Sequence, residues 1–220
     1  MTRELALLKD GAAELGIELD GTALGRFSLF AAELAKWNRK INLTAITASE
    51  DVMIKHFLDS LTILARVDLF GRLLDIGSGG GFPGIPLKIA KPELEVVSVD
   101  AVEKKILFQR HVARLLNFNG FTAIHARGES LVGKYPSSFD IIVSRAFTDI
   151  VSFVRMVRPL LAAGGRIVAM KGSEGVGEMA LCENELSLIG VEVETVHEFG
   201  LPLAGDRRSL IIMRNSGGSR

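Results

Sequence analysis

Apolar residues recur at helical spacing over the first 70 positions, and beyond them in short runs separated by further helical stretches. Leu5, Leu8, Ala12 and Leu15 share one face of a first helix that Gly16 ends. After Asp20, a longer helix carries Leu24, Phe27, Phe30, Ala31, Leu34 and Trp37 on one face, with Arg26, Lys36, Arg39 and Lys40 on its other face and end. The stretch 41–46, INLTAI, is too short and mixed to assign. Thr47 and Glu50 have capping-box spacing and predict a third helix. Its inward face is Ile54, Phe57, Leu58, Leu61 and Leu64; Lys55, His56, Asp59 and Ser60 lie together on the opposite, polar side. A Lys55–Asp59 pair four residues apart suits such a face.

From Arg72 onward strand and helix patterns alternate, which implies a parallel sheet. The strands read as 72–76, 94–99, 121–125, 139–144 and 165–170, with helices near 84–91, 102–117, 149–162 and 178–189. Two last apolar runs, 191–199 and 208–214, are joined by too few residues for a crossover and should pair antiparallel. The expected fold is α/β, a seven-stranded, mostly parallel sheet with one antiparallel strand. An N-terminal helical cap (1–70) precedes it and a loose tail (215–220) follows the sheet domain (71–214).

Composition narrows the function less than the pattern does. At 220 residues the chain suits one domain with a sizeable core, and 26 basic against 26 acidic residues say nothing for or against nucleic acid. One cysteine, Cys182, excludes an internal disulfide and suits a reducing cytoplasm. No signal peptide, membrane span or spaced set of metal ligands is evident, so a cytoplasmic protein without a metal is expected.

The candidate chemistry is concentrated in 73–87, LLDIGSGGGFPGIPL. A strand, a glycine turn and a helix place backbone N–H groups at a helix N-terminus, where open α/β sheets bind ligands. The dinucleotide spacing G-x-G-x-x-G is met only by Gly79, Gly81 and Gly84, which start late and enclose Pro83. The phrase acid-x-Gly-x-Gly-x-Gly fits better through Asp75, Gly77, Gly79 and Gly81, and it resembles motif I of the class I methyltransferases. Asp100, at the tip of the second strand, is placed to accept ribose hydroxyls. S-adenosylmethionine (AdoMet) is therefore preferred to NAD. Five strand–helix units closed by a β-hairpin also match the Rossmann-like class I methyltransferase plan.

Several phrases together resemble one family, the GidB (RsmG) 16S ribosomal RNA guanine-N7 methyltransferases of bacteria. They are KWNRKINLTAI (36–46), HFLDSL (56–61), DIGSGGGFPGIPL (75–87), SRAF (144–147) and MKG (170–172). The resemblance implies cofactor contacts at Gly77, Phe82, Gly128, Glu129 and Arg145, with Gly128 acting through its backbone. Glu129 alone would read as a solvated loop carboxylate. Arg145 ends a buried apolar strand and needs a partner; the methionine carboxylate and an RNA phosphate both qualify.

Guanine N7 carries a free lone pair, so the implied reaction needs no obligatory general base, and Arg145 is a positioning candidate only. SRAF stands where amine methyltransferases carry Asp/Asn-Pro-Pro-aromatic, and Cys182 falls on a peripheral helix, away from any nucleophile's place. RNA contact would need a local basic surface. Candidates are Arg39, Lys40, His56, Lys104, Lys105, Lys171 and Arg207, with Arg26, Lys36, Arg110 and Arg208 beside them. The expected partner is 16S rRNA, free or in the 30S subunit or an assembly intermediate, met by a monomer. Two other readings stay open: a methyltransferase for a non-RNA substrate, and a non-catalytic AdoMet-binding assembly module.

Overall fold

A computed structural model describes residues 1–145, 147 and 149–216. Ala146 of the SRAF phrase and residues 217–220 of the expected tail lie outside the described residues. The first two helices form as their patterns predict. α1 (Arg3–Glu14) starts where the Thr2 hydroxyl accepts from Leu5 N–H, and α2 (Gly21–Ile41) where the Asp20 carboxylate accepts from Ala23 N–H at 2.7 Å. Left-handed Asn42 ends α2.

The third helix departs from its pattern. α3 (Ser49–Val52) starts after Ala48 with no side-chain cap, so the Thr47–Glu50 capping box does not form. The helix runs on through a π-helical stretch, Met53–Leu58, into the short α4 (Asp59–Leu61). Bonds spanning five residues rotate the following side chains away from α-helical register. His56, Asp59 and Ser60 are all buried, so the expected polar outer face is absent. Lys55 pairs with Asp51 at 3.0 Å rather than with Asp59.

The sheet contains β1 (Arg72–Ile76), β2 (Glu95–Asp100), β3 (Phe121–His125), β4 (Phe139–Ser144), β5 (Leu161–Lys171), β6 (Val191–Gly200) and β7 (Arg207–Asn215) in the order β3-β2-β1-β4-β5-β7-β6. β7 alone runs antiparallel, against both β5 and β6, as expected. β5 starts four residues earlier than its pattern suggests. Gly164, with φ +74, and Gly165 sit at an irregularity in the β4–β5 register, and a Cβ on Gly165 would lie 2.8 Å from Asp140 O. The glycine pair is thus a bulge inside the strand and does not end it.

The connecting helices are α5 (Gly84–Ala90), α6 (Glu103–Leu115), α7 (Ile150–Val157) and α8 (Gly175–Leu188). α7 ends at Val157, short of the expected 162, and Pro159 lies in a 3-10 turn beyond it. Alternate strand residues face opposite layers. Leu74, Ile76, Val97 and Ile142 pack with Ile150, Val154 and Leu186 of α7 and α8; Leu73, Val96 and Ile141 pack with Ile63, Leu69 and Leu87. Strands buried on both faces explain the near-continuous apolar runs. The N-terminal helices close over α5 and α6 through an aromatic cluster, in which Phe30 lies 5.1 Å from Phe57, 5.4 Å from Phe82 and 6.2 Å from Phe108 between ring centroids. Strand order reverses at β1, which lies between β2 and β4, so a ligand crevice is expected at its carboxyl end.

Candidate active site

The glycine turn after β1 is shaped by hydrogen bonds from β2 and α6. Gly77 and Ser78 donate their N–H groups to Val99 O at 2.9 and 3.1 Å. Asp100 accepts from Gly79 N–H through Oδ2 and from Val102 N–H through Oδ1, each at 2.8 Å. Gln109, fully buried on α6, donates to Ser78 Oγ at 2.8 Å and Gly79 O at 2.9 Å. Gly79 has φ +55 with open space where a Cβ would stand. Glycine is needed there for the backbone angle, and the vacant side lets a ligand approach the main chain.

Asp75 sits one layer deeper than a ligand contact. Its Oδ2 accepts from Gly84 N–H at 2.8 Å, fixing the start of α5, and Oδ1 has no hydrogen-bond partner among the described residues. Complete burial pushes this carboxyl up to about 7, although the Gly84 N–H and the Arg145 charge oppose the rise.

Arg145, at the end of β4, joins this turn to the helical cap. It donates through Nη2 to His56 Nδ1 at 3.1 Å and through Nη1 to Lys55 O at 3.3 Å, and Nη1 lies 3.7 Å from Asp59 Oδ2. Its guanidinium stands 5.1 Å from the Phe82 ring centroid, and Phe82 stacks on His56 at 4.3 Å. Since the guanidinium can only donate, Nδ1 holds a lone pair, and Nε2 carries the proton given to Thr44 Oγ1 at 2.7 Å. Burial first, and then the Arg145 charge, lower the His56 pKa to about 3. His56 is neutral, with both ring nitrogens engaged. On its other side, Asp59 takes Arg208 Nε on Oδ1 at 3.1 Å. Asn38 clamps Thr44 by accepting from its N–H and donating to its carbonyl, each at 2.9 Å.

Three hollows lie along the carboxyl edge of the sheet, neighbours sharing lining residues. A cavity of about 460 Å³ is lined by Ile76, Gly77, Val99, Asp100, Gly128 and Glu129. A cleft of about 220 Å³ shares Gly77 with it and is walled by Gly79, Gly80, Phe82, Thr44, His56 and Arg145. His56 and Arg145 also line a third cavity, of about 350 Å³, bordered by Lys55, Asp59, Lys171, Phe199 and Arg208. A Cβ on Gly128 would lie 2.5 Å from Met156 Sδ, so a side chain there would have to displace the flexible end of Met156.

The structure gathers Gly77, Gly79, Phe82, Asp100, Gly128, Glu129 and Arg145 along this trough and leaves Asp75 behind it. Gly81 turns the chain at φ +91 toward α5 and lines none of the three hollows. The basic candidates divide. Lys171 borders the third cavity, held by Glu178 at 2.8 Å, and Lys105 lies 3.9 Å from Asp100. Arg39 and Lys40 are exposed at the end of α2, Lys104 is exposed on α6, and Arg207 pairs with Glu198 at 2.8 Å. Gln109, Asn38, Thr44 and the Asp59–Arg208 pair went unread in the sequence. For Gln109 a signal exists, a polar residue among Ile106, Phe108 and Val112 on a buried face.

The family described as rRNA small subunit methyltransferase G (GidB) matches residues 24–211. The chain belongs to this family. The Geobacter metallireducens protein named ribosomal RNA small subunit methyltransferase G is 58% identical over 94% of each chain, and its Syntrophotalea carbinolica namesake 42% over 96% of this chain and 98% of its own. A solved methyltransferase of Aquifex aeolicus, titled as SAM dependent, shares the fold at 15% identity, with a TM-score of 0.57 over 74% of this chain and 92% of its own. The expected Rossmann-like class I fold and AdoMet dependence both stand for this GidB methyltransferase. The crevice has the features such a donor would need: the Asp100 carboxylate, bare backbone at Gly77 and Gly79, and Gly128 and Glu129 along its far wall.

Proposed function

We propose that this chain transfers the methyl group of AdoMet to N7 of a guanine in 16S ribosomal RNA, acting as a monomer on RNA that is free or within the 30S subunit. AdoMet supplies an electrophilic methyl on a sulfonium. Asp100 holds the ribose, Gly77 and Phe82 border the path of the methyl group, and Arg145 positions the donor end against the acceptor.

One observation carries the reading: the donor cleft and a cation-lined cavity share His56 and Arg145 as walls, and among the described residues that shared wall offers no free base. His56 is neutral and bonded through both nitrogens, and Asp59 is tied to Arg145 and Arg208. His56, a titratable side chain shared by the two spaces, offers no free lone pair to an acceptor that must lose a proton before attack. Guanine N7 attacks with its lone pair as it stands, so alignment is the main task, and alignment supplies about 7–11 kcal/mol in favourable cases. The cations Lys55, Arg145, Lys171 and Arg208 give a neutral protein a local surface for RNA.

Tritium transfer from labelled AdoMet to 30S particles and to naked rRNA, both from cells lacking this chain, tests the proposal. Label appearing as 7-methylguanine supports it, and the better acceptor of the two identifies the natural form. Label on another base or on protein, or no transfer, refutes it.

A further inference from the structure

The cavity beyond Arg145 adjoins the proposed donor cleft, sharing His56 and Arg145 with it, and its wall holds a buried carboxylate. Asp59 is 6% exposed at its side chain, with Oδ1 on Arg208 Nε at 3.1 Å and Oδ2 at 3.7 Å from Arg145. A carboxylate has about four acceptor positions, so these two contacts leave capacity toward the cavity it lines. Asp59 borders this farther cavity and not the cleft beside Gly77, whereas His56 and Arg145 border both. Ile46, Met170, Phe199 and Leu210 supply apolar surface for the faces of a flat ring.

We infer that this cavity is the acceptor-base subsite and that Asp59 is its specificity-determining residue, reading the N1–H and 2-amino donors of guanine. The inference rests on the proposed N7 reaction. With N7 turned toward the donor cleft, the N1–C2 edge lies on the far side of the purine, toward the farther cavity. Guanine presents two donors on that edge, whereas adenine presents a lone pair at N1, which a carboxylate repels.

The same contact favours the transition state. The N7 lone pair forms the new C–N bond while the C–S bond breaks with its electrons going to sulfur. Positive charge passes from sulfur to the purine, and no proton leaves. As the purine becomes cationic its N1–H becomes a stronger donor, so the bond to Asp59 tightens as the reaction proceeds. Interactions that strengthen in this way raise the rate of the chemical step. Arg208 and Arg145 keep the carboxylate in place.

The test replaces one base. The acceptor position is mapped by borohydride–aniline cleavage at 7-methylguanosine, and RNA carrying guanosine or inosine there is assembled by ligation. Inosine keeps N1–H and lacks the 2-amino group. For the unaltered protein kcat/KM should fall about 10-fold to 100-fold with inosine, the range for losing one hydrogen bond to a charged group. Asp59→Asn should lower transfer to guanosine and bring the guanosine-to-inosine ratio toward unity, the remainder measuring the intrinsic difference in N7 reactivity. Equal rates on both RNAs for the unaltered protein, or an undiminished ratio in Asp59→Asn, would overturn the assignment while leaving N7 transfer standing. Absence of transfer to guanosine would instead refute the parent reaction, and the inference with it. Should the variant fail to fold, the inosine comparison on the unaltered protein decides alone.

Discussion

Asp75 is completely buried with one oxygen unpartnered, so its proton should be visible in the stability of the ligand-free protein. Its carboxyl titrates at about 7 when folded and from a reference of 3.8 when unfolded. Between these values the folded state keeps a proton that the unfolded state has released, so stability falls as pH rises. The stabilising contribution is fully present below 3.8 and is lost by the time pH passes about 7. Asp75→Asn keeps an acceptor for Gly84 N–H and removes the titration. Urea unfolding of both proteins at pH 5 and pH 8 should show the stability of the native chain, relative to the variant, dropping by about 3 kcal/mol over that interval, at 1.36 kcal/mol per unit of displaced pKa. A difference that stays flat, or grows with pH, would refute the reasoning and show that Asp75 is ionised in the fold.

Two further outcomes follow from the same contacts. Phe57 is fully buried against Phe27, Phe30 and Phe82, so Phe57→Ala should destabilise the protein by about 3–5 kcal/mol in denaturant melts and loosen the cap over the donor cleft. Raising salt from 50 to 200 mM should weaken RNA binding steeply and leave AdoMet affinity nearly unchanged in parallel titrations, because the RNA contacts are cationic and the donor crevice is built from backbone and Asp100; equal salt dependence for the two ligands would contradict this.

The parallel core was legible because its strands are buried on both faces. The reading at 72–76 and 139–144 coincides with β1 and β4, since few residues other than Val, Ile, Leu and Phe fit there; the reading at 121–125 coincides with β3, an edge strand of which only Ala123 is buried. The reading of β5 began at Gly165, and only pairing with β4 shows Gly164 and Gly165 as a bulge inside a longer strand. The glycine loop and Asp100 were visible because a ligand crevice demands bare backbone and a carboxylate at fixed spacing.

His56 and Asp59 were misread as a solvated face for a different reason. Their partners Arg145 and Arg208 lie 89 and 149 residues away, and nothing in local periodicity announces a guanidinium arriving from another layer. The π-helical stretch compounds the error by breaking the 3.6-residue period on which that face was drawn. Polar residues in a helix that packs over a ligand crevice are better read as a buried network awaiting distant charges.

The central claim is that the methyl donor lies over the carboxyl tips of β1 and β2, with its sugar on Asp100. A crystal structure with S-adenosylhomocysteine tests it most directly. The account predicts both ribose hydroxyls on the Asp100 carboxylate, the adenine beside Gly128 and Glu129, and the sulfur facing Phe82 and Arg145. Density in the groove between α2 and residues 42–52, with the crevice at Asp100 empty, would contradict it.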